Sequence, residues 1–329
     1  MRQLRSSAVR RLFAGLLVLL GAGRAVRAQK GTAVEGAQEF LLPIGARSLG
    51  MGQTVAASAS GSDAIWWNPA LIAGGRREIA LHLEKNVSAT LETDAAGALV
   101  IPVNRLGAFA LSFRYLNSGT QPAVDANGNQ TGSFSTSSSI FAGTFAPTLT
   151  DRLAGGITFK LLRGGFSSTG AVDGPIHAPQ TAALDVGLHY LLARDSTITI
   201  GASVRNLGLK LQVNDSPQSD PLPARADVGV SYAPTLAQMP KEARLRFGAD
   251  LVSYVSGGTS PGFRIGGEFS WMERYQARAG YVASGPTGSG PTFGFGVSTG
   301  KLQIDIAQML SDLAQSGSTP TFLTLRYLF

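Results

Sequence analysis

The 329-residue sequence has no cysteine, only three histidines and no run of eighteen consecutive apolar residues. Without thiols it can form no disulfide, thiolate nucleophile or sulfur-ligated metal site. His82, His177 and His189 stand far apart with no metal-ligand spacing, so each reads as a satisfied structural group. No Gly-x-Ser-x-Gly elbow is present. Gly294, Gly296 and Gly300 miss the dinucleotide spacing and sit in a strand pattern, where glycine marks close packing or a bulge. These absences predict a protein that is not an enzyme and carries no cofactor or metal. The missing apolar run excludes a membrane-spanning helix.

A basic excess is missing too, once the first residues are set apart. Residues 1–28 read as a secretory signal peptide. Arg2, Arg5, Arg10 and Arg11 form its basic start, residues 12–20 its apolar centre, and Val26-Arg27-Ala28 a small-residue cleavage site before Gln29. With Arg24 and Arg27 the leader holds six arginines and no acid, so its removal lowers the formal charge from +7 to +1. Nothing then favours a nucleic-acid partner.

What the remainder does contain is glycine, together with aromatic and β-branched residues in short alternating runs. Candidate strands begin near Glu78, Gly97, Gly107, Phe134, Leu153, Thr181, Ser196, Ala224, Glu242, Gly262, Tyr275, Thr292, Leu302 and Thr321. That is fourteen, an even number, as a single-chain bacterial barrel requires. Leu245, Phe247, Ala249 and Leu251 share one face of their run and Arg244, Arg246, Gly248 and Asp250 the other. Phe263, Ile265, Phe269 and Trp271 likewise oppose Arg264, Gly266, Glu268 and Ser270.

A soluble sandwich would alternate as well, and the connections decide between the two. Short ones at 102–106, 148–152, 194–195, 273–274 and 300–301 interleave with long ones at 117–133, 164–180, 207–223 and 311–320. Only 234–241 is long for its place. Alternating loop length is expected of an antiparallel transmembrane β-barrel with periplasmic turns and outer loops. The chain also ends as such a barrel would, with Leu323, Leu325, Tyr327 and Phe329 on one face of a closing strand.

Parity assigns the faces. Apolar side chains point to outer-membrane lipid, where an arginine would cost about 2–4 kcal/mol at the midplane. The lumen receives Arg114, Asp185, His189, Arg205, Arg225, Asp227, Arg244, Arg246, Asp250, Arg264, Glu268, Arg278, Asp305 and Arg326, whose mixed signs predict internal ion pairs.

Ahead of the strands, residues 40–75 are too broken by glycine and small residues to be a strand, and residues 29–76 read as a plug that the barrel at 77–329 encloses. Residues 53–60 predict at best a weak helix. Across 67–74 a capped helical turn is expected, with Asn68 as N-cap, Pro69 in the first position and Gly74 closing it. Trp66 and Trp67 beside it predict packing inside the plug or an interfacial anchor.

The run Gly45-Ala46-Arg47-Ser48-Leu49-Gly50-Met51-Gly52, followed by Asp63-Ala64 and Trp66-Trp67-Asn68-Pro69-Ala70, resembles the N-terminal signature of the PorV/PorQ outer-membrane proteins, relatives of the FadL fatty-acid channels. Ala202-Ser203-Val204-Arg205-Asn206-Leu207-Gly208, Ile265-Gly266-Gly267-Glu268 and Arg278-Ala279-Gly280-Tyr281 extend the likeness over the chain. Where FadL-like plugs usually continue Gly-Gly-Ala after Gly-Met-Gly, this chain has Gln53-Thr54-Val55. The resemblance implies a bacterial outer-membrane barrel acting in type IX-like protein secretion, with secretion components or cargo domains as partners. The alternative it implies is a FadL-like channel for hydrophobic small molecules. It makes Gly45, Arg47, Gly50, Met51, Gly52, Asp63, Asn68 and Pro69 the expected functional signature, with Arg47 or Asp63 pairing to a lumen charge to hold the plug.

Overall fold

The computed structural model describes residues 35–85, 93–104, 106–125, 127–170, 179–192, 197–212, 219–255, 261–285, 288–310 and 319–329. The expected signal peptide, residues 29–34 of the expected plug, His177 and most of the 311–320 connection lie outside the described residues.

Seventeen β segments are described. They are β1 (Glu78–Lys85), β2 (Thr93–Val103), β3 (Gly107–Asn117), β4 (Gln121–Val124), β5 (Gln130–Thr150), β6 (Leu153–Gly170), β7 (Gln180–Leu191), β8 (Ile198–Gly208), β9 (Leu211–Gln212), β10 (Ser219–Asp220), β11 (Arg225–Tyr232), β12 (Ala243–Tyr254), β13 (Gly262–Trp271), β14 (Tyr275–Gly285), β15 (Gly288–Ser298), β16 (Leu302–Met309) and β17 (Thr321–Leu328). The short β4, β9 and β10 belong to the long connections. The other fourteen form a closed antiparallel barrel in which each strand pairs with the next wall strand along the chain. Closure is made by β1 and β17, matched from Glu78 opposite Leu328 to Lys85 opposite Thr321, so the fourteen-stranded wall has no open edge among the described residues.

Parity is plain on the closing strands and their neighbours. On β1, Ile79, Leu81 and Leu83 are exposed outward while Glu78, Ala80, His82 and Glu84 are buried inward. On β16, Leu302, Ile304 and Ile306 face out and Asp305 and Ala307 face in. The outward set is apolar, as a barrel wall facing hydrocarbon requires.

The strand onsets read from sequence differ at three places. β2 begins four residues before Gly97, because Asp94 points inward to a buried partner rather than breaking the strand. β15 begins at Gly288 rather than near Thr292, and its glycine-rich start pairs through a register shift at Val282 and Gly285. β5 begins at Gln130, and β6 continues to Gly170 through residues 164–170, which the sequence assigns to a loop. That Ser/Thr/Gly-rich hairpin extends beyond the neighbouring wall, where no lipid-facing apolar row is needed and hydropathy loses its period of two.

The N-terminal segment lies inside the barrel. At the long-connection end, Gly36 donates to the Pro221 carbonyl at 3.0 Å and Ser138 to Glu39 at 2.9 Å. At the short-turn end, Phe329 donates to the Arg77 carbonyl at 3.1 Å. Between them run the helical pieces Gln38–Leu41, Ala46–Gly50, Gly61–Asp63, Ala64–Trp67 and Pro69–Gly74. The weak helix expected over 53–60 is absent. Gly52 and Gln53 both take positive φ, and the Val55 and Ala56 amides donate to Asp250 on the wall instead of to a helix.

Candidate functional site

The segment can touch the wall closely because inward-facing positions there are glycine. A Cβ at Gly266 would strike the Met51 carbonyl, one at Gly280 the Gly52 amide, and one at Gly201 the Ala56 carbonyl. Gly294, read from sequence as a close-packing position, lies against Gly50. Backbone thus rests on backbone over several strands. Gly45 combines φ of 90° with close approach of the Asp63 carboxylate, which admits no side chain.

Around this seam runs an alternating chain of charges. Arg47 holds Glu268 through two bonds of 3.0 Å; Glu268 accepts from Arg278 at 2.6 Å; Arg278 reaches Asp305 at 2.6 Å. Asp305 accepts from Arg326 at 2.6 Å, and Arg326 bonds Asp63. Asp63 accepts from Ser48 at 2.7 Å, next to Arg47, and so closes the loop. Three arginines face three carboxylates, two of the six groups belonging to the plug and four to β13, β14, β16 and β17. Glu78 adds a bond from the Ser62 amide at 2.7 Å. Burying such a chain is costly unless every charge is paired, and removing one member leaves its neighbour uncompensated, at about 3–5 kcal/mol.

A second polar group grips the double tryptophan. Arg205 pairs with Asp227 at 2.8 Å and stacks 4.9 Å over Trp67, and Arg264 lies 3.6 Å from Asp227 and 5.7 Å from the same ring. Trp67 donates to the Ile44 carbonyl at 3.0 Å; Trp66 packs under Lys160 at 5.8 Å. Both rings are buried in the lumen, so their place is plug packing and not the interface. Asn68 accepts from Ala70 at 3.1 Å, with Pro69 in the first helical position, and its amide donates to the carbonyls of Ala56 at 2.6 Å and Leu188 at 3.1 Å. The turn is a 3-10 helix that closes at Gly75, one residue past Gly74.

Not every expected lumen charge is placed alike. Arg246 is half-buried and donates to Ser231 at 3.3 Å. Arg244 is a correction: its side chain is 67% exposed and pairs with the exposed Glu273 at 2.9 Å, because β12 has barely left the turn there. The expected lumen charges Arg114 and Asp185 have inward partners that were not expected there. Arg114 joins Asp94 and Glu84 and donates to the Leu42 and Pro43 carbonyls, and Lys160 pairs with Asp185 at 2.6 Å. His82 bonds Ser62 and Thr324 at 3.2 Å each in full burial. Glu84, His82 and Lys160 all lie on the inward parity of their strands, the signal that would have found them.

Toward the short-turn end, part of the inner face of β2, β3 and β5 is apolar. Ala96, Ala98 and Val100 of β2, Ala108 and Ala110 of β3, and Ala142 and Ala146 of β5 form an inward wall of small residues, against which Ile72 of the Pro69–Gly74 turn packs. Toward the long-connection end, Leu116, Ile140 and Leu162 continue it and meet Phe40 and Trp66.

The described residues thus form a closed fourteen-stranded antiparallel barrel with an internal, charge-held N-terminal plug. No protein-family profile and no curated protein matches the sequence. Solved structures do. The toluene transporter TbuX of Ralstonia pickettii aligns over 88% of this chain and 99% of its own, with 16% identity and a TM-score of 0.59. The toluene transporter TodX of P. putida aligns over 88% and 99% with 12% identity and a TM-score of 0.56. A Pseudomonas aeruginosa FadL homologue aligns over 88% and 99% with 13% identity and a TM-score of 0.54. At such identities the likeness is one of fold.

Proposed function

We propose that the protein is a bacterial outer-membrane channel admitting hydrophobic small molecules, with monoaromatic hydrocarbons as the first class to try. The observation that carries this reading is how unevenly the plug is held. The plug is held by charged groups on several strands, while its Pro69–Gly74 turn rests on alanines of β2, β3 and β5 that offer it no hydrogen bond to break. A shift of the Pro69–Gly74 turn away from β2, β3 and β5 would open an apolar seam and leave the ion-pair chain closed. Apolar solute entering it exchanges water for hydrocarbon-like surroundings, worth about 25 cal/mol per Å² removed from water.

The named cargo of two solved neighbours, toluene, supports the class, and the fold supports the membrane setting. The PorV/PorQ resemblance and the type IX-like secretion role it implies rest on the signature residues; the solved neighbours favour the channel.

The test is uptake of radiolabelled toluene by cells producing the barrel, with Ala142→Trp beside the wild type. Faster uptake than vector controls, lost when tryptophan narrows the seam in a barrel that still folds, is the expected result. Uptake equal to controls would refute it.

A further inference from the structure

The short-turn end of the barrel carries a row of cations set over lipid-facing aromatic rings. The Arg274 guanidinium lies 5.5 Å over the ring of Tyr275, and that of Arg77 lies 5.7 Å over Phe329. Both rings are exposed on the outward face, at 42% and 56%. Trp271 is paired opposite Tyr275 across the β13–β14 turn, also outward, with its ring 6.4 Å from Phe269. Lys301 stands between the two arginines. The Ser298 amide donates to the Arg274 carbonyl at 2.7 Å, Leu328 to Lys301 at 2.7 Å and Phe329 to Arg77 at 3.1 Å, so the three basic residues follow one another along a single rim. Glu273, the acid in that turn, is paired with Arg244 on its far side.

We propose that this arc, Arg274, Lys301 and Arg77 above Trp271, Tyr275 and Phe329, is a binding site for the phosphate headgroup of an anionic glycerophospholipid. Aromatic rings of this kind sit at the level of the headgroups, with the ring body in the acyl region and its polar edge toward water. Guanidinium groups held over such rings are therefore fixed at the height of the phosphates, and guanidinium geometry matches phosphate oxygens two at a time. Lysine adds a point charge between them. Basic residues grouped beside a membrane select anionic over zwitterionic lipid. On the outer-membrane reading this end faces the periplasm, so the lipid is one of the periplasmic leaflet. The inference rests on that membrane reading but not on what the channel carries.

Trp271 supplies the probe, since the other two tryptophans, Trp66 and Trp67, are buried in the lumen. The full-length barrel is reconstituted in phosphatidylcholine vesicles. Brominated phosphatidylglycerol or brominated phosphatidylcholine, which quench indole fluorescence on contact, is then added at equal mole fraction. The expected result is that phosphatidylglycerol competes for the Trp271 site about fivefold or more better than phosphatidylcholine. That preference should fall with salt and vanish in the Arg77→Gln, Arg274→Gln, Lys301→Gln triple variant. Equal quenching by the two lipids in the wild type, or a preference that survives in the variant, would overturn the proposal. So would complete displacement by inorganic phosphate at an ionic strength where chloride displaces nothing, which would make it a site for the free anion. Should the triple variant fail to assemble, the salt titration on the wild type and the single Arg274→Gln variant decide. Toluene uptake measured on the same variants separates the two claims: the lipid preference can fail while uptake persists, and the reverse.

Discussion

At Asp63 one carboxylate serves both plug and wall, accepting from Ser48 at 2.7 Å and from Arg326 of the closing strand. Burial alone would raise its pKa, but Arg326, His82 and the Ser48 hydroxyl together hold it below the ordinary aspartate value. A depressed native pKa means that the ionised form is favoured by folding. Its contribution is full above about pH 4 and is lost as pH falls through the lower native value. Asp63→Ala should therefore cost about 3–5 kcal/mol near neutrality, since Arg326 is left buried without one of its partners. The difference between variant and wild type in urea unfolding should hold from pH 8 to pH 5 and shrink in stronger acid. Arg47→Ala and Glu268→Ala should each destabilise, with strongly non-additive effects in the double variant, because the remaining charge goes with its partner. Additive losses would show that the 3.0 Å pair carries no coupling.

Among the elements, the glycines facing the plug are as consequential as the charges. Gly280→Val adds a branched side chain where the Gly52 amide already fills the space, and outward-pointing Ala279 next to it supplies a control that should tolerate valine. The expected result for Gly280→Val is displacement of the 51–52 stretch and a rise in single-channel conductance in planar bilayers; unchanged conductance and melting would count against close packing as the seal. On the closing strand, Leu325→Arg puts a cation on the lipid face and should destabilise by about 2–4 kcal/mol near the midplane. Thr324→Arg should instead act through crowding of Ala46, whose amide bonds the threonine at 2.9 Å.

The strands were legible in the sequence wherever lipid enforces parity: β1, β3, β6, β13, β14, β16 and β17 begin where their alternation begins. The hairpin of β5 and β6 was not, because its outer part leaves the hydrocarbon and needs no apolar row. The capped turn at Asn68-Pro69 was legible because its signals are local. The path of residues 51–60 was not, since its shape is dictated by Asp250 and by glycines on distant strands. Likewise parity could place Glu268, Arg278 and Asp305 inside, but only the closed register could show that they form one chain with Arg47 and Asp63.

For the molecule as a whole, the arrangement is a barrel whose bore combines a polar grip with a local apolar bearing. The grip fixes the plug to β13, β14, β16 and β17, and the bearing lets the Pro69–Gly74 turn rest on β2, β3 and β5 without directional bonds. Such a combination suits a solute that needs no hydrogen bonds on its way through. It also distinguishes the channel reading from the secretion reading, in which binding falls to protein partners. The most direct measurement is native mass spectrometry of the barrel extracted mildly from its own outer membrane. The account predicts a hydrophobic small molecule retained by the barrel, displaced by added toluene, with no protein subunit attached. Secretion components or cargo domains co-purifying at fixed stoichiometry, with no hydrophobe bound, would contradict it.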